Sequence, residues 1–130
     1  MFYYKDYYDE IKKYSFILFL LDEEKIEYFP YFHYKYTSSL ATAISFGIIP
    51  IVDQNTANIY KITDFSIIYH KYLDEAIDKI SNMNENDYLN LKLKIFNFKN
   101  IYLNKNIKTF IKLLNLNHDF NNSHKEDCKC

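Results

Sequence analysis

KYTSSLATAISFGIIPIVDQ, residues Lys35 to Gln54, decides how the rest of the chain is read. Three hydroxyl residues, Thr37, Ser38 and Ser39, stand where a helix would begin, and each is of a type that caps one. A small, mostly apolar segment follows to Phe46, and Gly47, the only glycine in the sequence, is placed to end it. Ile48 to Val52 then form a short apolar run around Pro50, which reads as a buried strand.

Upstream, YSFILFLL (Tyr14 to Leu21) is a continuous apolar run with no alternation and predicts another buried strand. Before it, Tyr3, Tyr4, Tyr7, Tyr8 and Ile11 recur at three- and four-residue intervals, so an amphipathic helix is expected over Phe2 to Lys13. DEEKIEYFPYFHYKY, between the first strand and the hydroxyl cluster, reads as a loop rich in charge and aromatics. Downstream, Asn55 to Lys61 suits a brief helix and FSIIY (Phe65 to Tyr69) a third strand. KYLDEAIDKIS follows as a helix with Leu73, Ile77 and Ile80 on one face. Past NMNEND come helical patterns at Asp87 to Leu103 and Ile107 to Leu116, then a polar segment, HDFNNSHKEDCKC, read as an unfolded tail over 118–130. Strand and helix thus alternate three times, the pattern that builds a parallel sheet through right-handed crossovers. The expected fold is α/β: a Rossmann-like three-layer unit over 1–117 with about three parallel strands and C-terminal helices. Three strands are few, and the unit looks like half of a larger one.

Composition narrows the function classes. The 130 residues make one domain, with 48% hydrophobic and 25% charged residues, ordinary for a globular protein. A net charge of -1 offers no electrostatic case for nucleic acid. All 16 basic residues are lysines, so no arginine fork is present for phosphate or carboxylate. The longest strongly apolar run, SFILFLL, is too short to span a bilayer, so no transmembrane segment is expected. MFYYKDYYDE at the start carries acids where a signal peptide carries bases, and the expected location is the cytoplasm, with Cys128 and Cys130 reduced.

Ligands of an open parallel sheet bind beyond the carboxyl ends of its strands. Those ends are Asp22-Glu23, Asp53-Gln54 and Tyr69-His70-Lys71. The helix starting near Ser38 begins on the same edge because it follows the first strand. Its free amides and positive dipole end favour phosphate, Thr37, Ser38 and Ser39 add donors, and Lys35 adds charge. An ordinary N-cap is the plainer reading of the same residues. Neither G-x-G-x-x-G nor G-x-x-x-x-G-K-[ST] occurs, which leaves dinucleotide dehydrogenases and P-loop NTPases unsupported.

The stretch KYTSSLATAISFGIIPIVDQNTANIYKI resembles the donor-binding signature of GT-B fold glycosyltransferases. In that superfamily a Lys/Ser/Thr-rich loop enters a helix and an A-x-x-x-G-x-P-[IV]-[IV] run follows; the corresponding residues here are Ala43, Gly47, Pro50, Ile51 and Val52, with two residues between Gly47 and Pro50. A loop and a short helix over Asp53 to Tyr60 complete it. The resemblance implies that Thr37, Ser38 and Ser39 contact the diphosphate of a nucleotide sugar, with Lys35 beside them. It implies that Asp53, Gln54, Asn55 and Thr56 line the sugar or ribose. Chemistry of this kind rests on neutralising the departing diphosphate, with no metal or other cofactor required. A whole GT-B enzyme has two Rossmann-like halves, and the likeness covers the later part of the second. The acceptor (sugar, lipid or protein) is therefore undefined, a second chain supplying the missing half is an implied partner, and no catalytic residue is assigned.

Other candidates have bland readings beside the sharp ones. His70, at a strand end, stands where a base would stand, but no partner is fixed by sequence and a structural or surface histidine is simpler. His33 in the aromatic loop is similar. Asp22, Glu23 and Glu24 offer carboxylates, or a solvated charge run. His124, Cys128 and Cys130 carry metal-ligand atoms without a C-x-x-C pair, and the expectation is no metal. The rival to a glycosyltransferase is a non-catalytic α/β interaction module that completes a partner's fold.

Overall fold

The structure, a computed structural model, describes residues 4–22, 24–33 and 35–126, with side chains described as far as 115. Glu23, Cys128, Cys130 and the side chain of His124, all named above as candidates, lie outside the described residues. In chain order the elements are α1 (Tyr4–Ile11), β1 (Phe16–Leu18), α2 (Phe29–His33), α3 (Ser38–Phe46), β2 (Ile49–Asp53), α4 (Gln54–Tyr60), β3 (Ile67–Tyr69), α5 (Asp74–Ser81) and α6 (Glu85–Glu126). Short 3-10 turns precede α2 (Ile26–Tyr28) and β3 (Thr63–Phe65). The chain divides into two compact units between Asn97 and Phe98, so α6 begins in the first and continues in the second.

The first unit is α/β, with one parallel sheet of order β1-β2-β3. β2 is central: Leu18 pairs with Ile51 on one side, and Ile51 pairs with Ile67 on the other. Because both crossovers move in the same direction across the sheet, right-handedness puts α3 and α4 on one face. Successive residues of a strand point to opposite faces, and Ile49, Pro50 and Val52 are all buried. Both faces of β2 are therefore covered, as the unbroken apolar run requires. Ala43 of α3 and Ala57 of α4 are fully buried.

Pro50 sits in a central strand, where a missing N–H is normally excluded. Its neighbours explain why it is tolerated. The Ile49 N–H donates to Ser15 and the Ile51 carbonyl accepts from Phe19, so both face β1 and Pro50 faces β3. Pairing with β3 begins only at Ile51, so the absent donor falls at the end of that ladder. Gly47 ends α3 in the left-handed region at φ 64°, and the N–H groups of Gly47 and Ile48 both close on the Ala43 carbonyl. A β-carbon there would meet nothing nearer than the Lys92 ammonium at 4.0 Å, so backbone conformation, not space, calls for glycine. Lys92 of α6 donates to the Gly47 carbonyl, and Ile95, one turn on, is buried. At the start of α6 the Tyr88 ring lies 6.1 Å from Phe16 and its hydroxyl bonds Ser15 at 3.3 Å.

Several expectations are revised. The segment read as a loop over 22–36 contains the short helix α2, in which the His33 ring stacks on Phe29 at 3.9 Å. β1 is limited to the three residues that find partners on β2. The expected inward face of α5 is only partly inward: Leu73 and Ile77 are 39% and 53% exposed, and Ala76 is the residue buried. The two helical patterns at 87–103 and 107–116 are one helix, which continues to Glu126, into the segment read as a polar tail.

Candidate functional site

The carboxyl ends of the three strands share one edge because the sheet is parallel. α3 leaves from that edge and returns the chain to the amino end of β2, so Thr37 and the α3 start lie where an open sheet takes ligands. Thr37 is an N-cap in extended conformation; its hydroxyl accepts from the Ser39 N–H at 3.2 Å, and its carbonyl accepts from the Leu40 N–H. The plainer reading of this cluster therefore holds at Thr37: two of the first amides of α3 are satisfied by the cap itself. Ser38 is exposed and Ser39 half-buried. Lys35 is exposed, with its ammonium 5.0 Å from the centre of the Tyr31 ring.

The second predicted cluster is organised differently. Asp53 caps α4: one carboxylate oxygen accepts from the Thr56 N–H at 2.9 Å and the other from the Thr56 hydroxyl at 2.5 Å. Thr56 is 1% exposed, so it faces the interior and the Asp53 carboxylate, not an open surface. Gln54 donates to Asn58 along the same helix at 2.9 Å, and Asn55 is exposed. The end of β2 was read as a sugar-facing wall; Asp53 and Thr56 make it first a cap. The charge of Asp53 reaches its register partner Tyr69, whose hydroxyl is held above its ordinary pKa by burial first and by that carboxylate second.

What sequence reasoning missed is the cavity next to Thr37. Tyr31, Lys35, Tyr36, Ile59 and Tyr60 line it with neighbouring residues of α2, enclosing about 230 Å³. Tyr60, the last residue of α4, anchors its floor. The Tyr60 ring lies 5.6 Å from Tyr36 and 6.5 Å from Phe19. The Tyr60 hydroxyl is sealed from solvent beside the Thr37 backbone and makes no hydrogen bond of good geometry. Burial pushes this hydroxyl above its ordinary pKa, partly opposed by the Thr37 backbone. The available signal was the density of aromatics in FPYFHYKY immediately before the hydroxyl cluster, which composition alone assigned to packing.

At the end of β3 the chain holds an anion of its own. The Glu75 carboxylate accepts from the N–H groups of His70, Lys71 and Tyr72 at 3.0, 3.0 and 3.2 Å. Those amides, that of Lys71 foremost, bring the Glu75 carboxyl down from 4.5 to about 2. His70 contributes its backbone to this turn and leaves its side chain exposed. Because the folded-state value is depressed, the contribution of Glu75 to stability is complete above pH 4.5 and is lost as the pH falls towards 2. Acid titration followed by circular dichroism should show a destabilising limb in that window that Glu75→Gln removes. An unchanged limb in the variant would assign it to other carboxylates. Among the described residues no group of three or more His, Cys, Asp or Glu is placed to hold a metal ion, and no helix is long and apolar enough to cross a membrane.

Fold and edge define a small parallel α/β unit of Rossmann-like type, with a lysine and aromatic rings around a cavity near the start of α3. Comparison with protein-family models, curated proteins and solved structures finds no match to this chain.

Proposed function

We propose that the chain is the donor-binding part of a nucleotide-sugar-dependent glycosyltransferase. The observation that carries the reading is the cavity beside Thr37 on the carboxyl edge of the parallel sheet, with Lys35 at its wall. Its volume, about 230 Å³, is below the usual range for a whole drug-sized ligand and suits one ring of a larger molecule. Aromatic walls take the face of a base or sugar ring, and Lys35 with the exposed Ser38 hydroxyl is on hand for the attached phosphates. With Asp53 committed to its cap, the binding set is Lys35, Ser38 and the rings of Tyr31 and Tyr36.

Titration calorimetry with UDP and GDP tests this. Binding of either is expected, and Lys35→Ala should weaken it about tenfold or more, the size of a lost charge-assisted hydrogen bond. Ser38→Ala should weaken it less, and added salt should weaken it in the wild type. Folded protein with no affinity for either nucleotide overturns the proposal. A second reading, a module that completes a partner's fold, is favoured by Leu73, just before α5, and Ile77 within it, which stay exposed although α5 packs on β3.

A further inference from the structure

In the second unit, the described part of α6 beyond Asn100 buries no side chain. Every residue from 101 to 115 is exposed, including Leu103, Ile107, Phe110 and Leu114 at 52%, 47%, 62% and 51%. A helix in water gains little from its backbone alone and is held in proteins mainly by burying an apolar face. These four residues are spaced four, three and four apart, and the step back from Leu103 is three, to Asn100. In the sequence the same rhythm extends to Phe96, Leu93 and Leu89. Alternating steps of three and four make a heptad seam, which keeps one stripe facing a second helix as the two supercoil.

The letters of the heptad then follow. Asn100, Ile107 and Leu114 take a positions; Leu103 and Phe110 take d positions. A β-branched residue at a with leucine at d favours two strands, and one asparagine at an a position fixes register and oligomeric state. In a parallel, in-register pair each a position meets its own copy, so Asn100 meets Asn100, and two amides satisfy each other. In an antiparallel pair a faces d, and the alignment that sets Leu103 on Leu114 and Ile107 on Phe110 puts Asn100 opposite position 117, again an asparagine. We infer that this face of α6 pairs with the same face of a second copy of the chain as a two-stranded coiled coil, because in either direction the seam sets its own apolar residues together and its own asparagines together.

The inference does not depend on nucleotide binding. Sedimentation equilibrium of the full chain should give a dimer that dissociates on dilution, and a monomer at every concentration overturns the proposal. Phe110→Asp should yield a monomer whose first unit keeps its thermal transition, while Ile101→Asp, also on α6 but outside the seam, should remain dimeric. Equal dissociation by both, or by neither, rules out the seam.

Discussion

Phe19→Ala should destabilise the first unit by about 3–5 kcal/mol, the range for emptying a large aromatic site in a core. Phe19 is 2% exposed and directly follows β1, and its N–H donates to the Ile51 carbonyl at 3.0 Å. Its ring meets Tyr60 edge-on at 6.5 Å. The backbone of Phe19 therefore ties the end of the edge strand to the central strand, and its side chain packs on Tyr60 at the cavity. Domains of this size are stable by roughly 5–15 kcal/mol, so the loss takes a large share of the total. Urea unfolding monitored by tyrosine fluorescence checks the magnitude. A loss below about 1 kcal/mol would mean that the site collapses without penalty and that Tyr60 is held by other contacts.

Asp53→Ala should cost about 2–3 kcal/mol, more than an average cap, because two bonds go at once. The substitution removes the acceptor of the Thr56 N–H and that of the Thr56 hydroxyl, and Thr56 is too buried for water to replace either. Asp53→Asn separates structure from binding. Asparagine caps as well as aspartate, so most of the stability should remain. If nucleotide affinity falls in Asp53→Asn while the melting temperature holds, the carboxylate serves the ligand as well as the helix. Thermal unfolding of both variants beside calorimetry gives the two readouts.

The parts of the fold that were legible in the sequence are those where a single residue type has a single physical use. Gly47 ends α3 because it alone enters the left-handed region cheaply, and Thr37 begins it because its hydroxyl reaches an amide two residues on. The central apolar run is a strand covered on both faces, whereas β1 and most of β3, read as buried strands, are only half-buried because they lie at the edges of a three-stranded sheet. Legibility failed where partners lie far off in sequence. Nothing local says that α5 buries Ala76 in preference to Leu73 and Ile77, since that depends on how closely the helix approaches β3. The break imagined near Asn104 and Asn106 does not occur, because without glycine or proline a polar residue lowers helix propensity without stopping the helix. For the site, the hydroxyl residues at 37–39 and the polar residues at 53–56 are the expected ligand contacts, and Thr37, Asp53 and Thr56 also take part in helix caps. The cavity was illegible because its rings come from two separated segments, Tyr31 and Tyr36 from one and Tyr60 from another.

The clasp of Tyr88 on Ser15 spans 73 positions of sequence. During synthesis the amino-terminal end emerges first, and β1 then has neither β2 to pair with nor the first turns of α6 to cover it. SFILFLL stays without these partners until the residues as far as Tyr88 have also emerged. This order makes the newborn chain a natural client for factors that shield greasy segments, and it ties cellular yield to translation speed across the stretch between β1 and Tyr88.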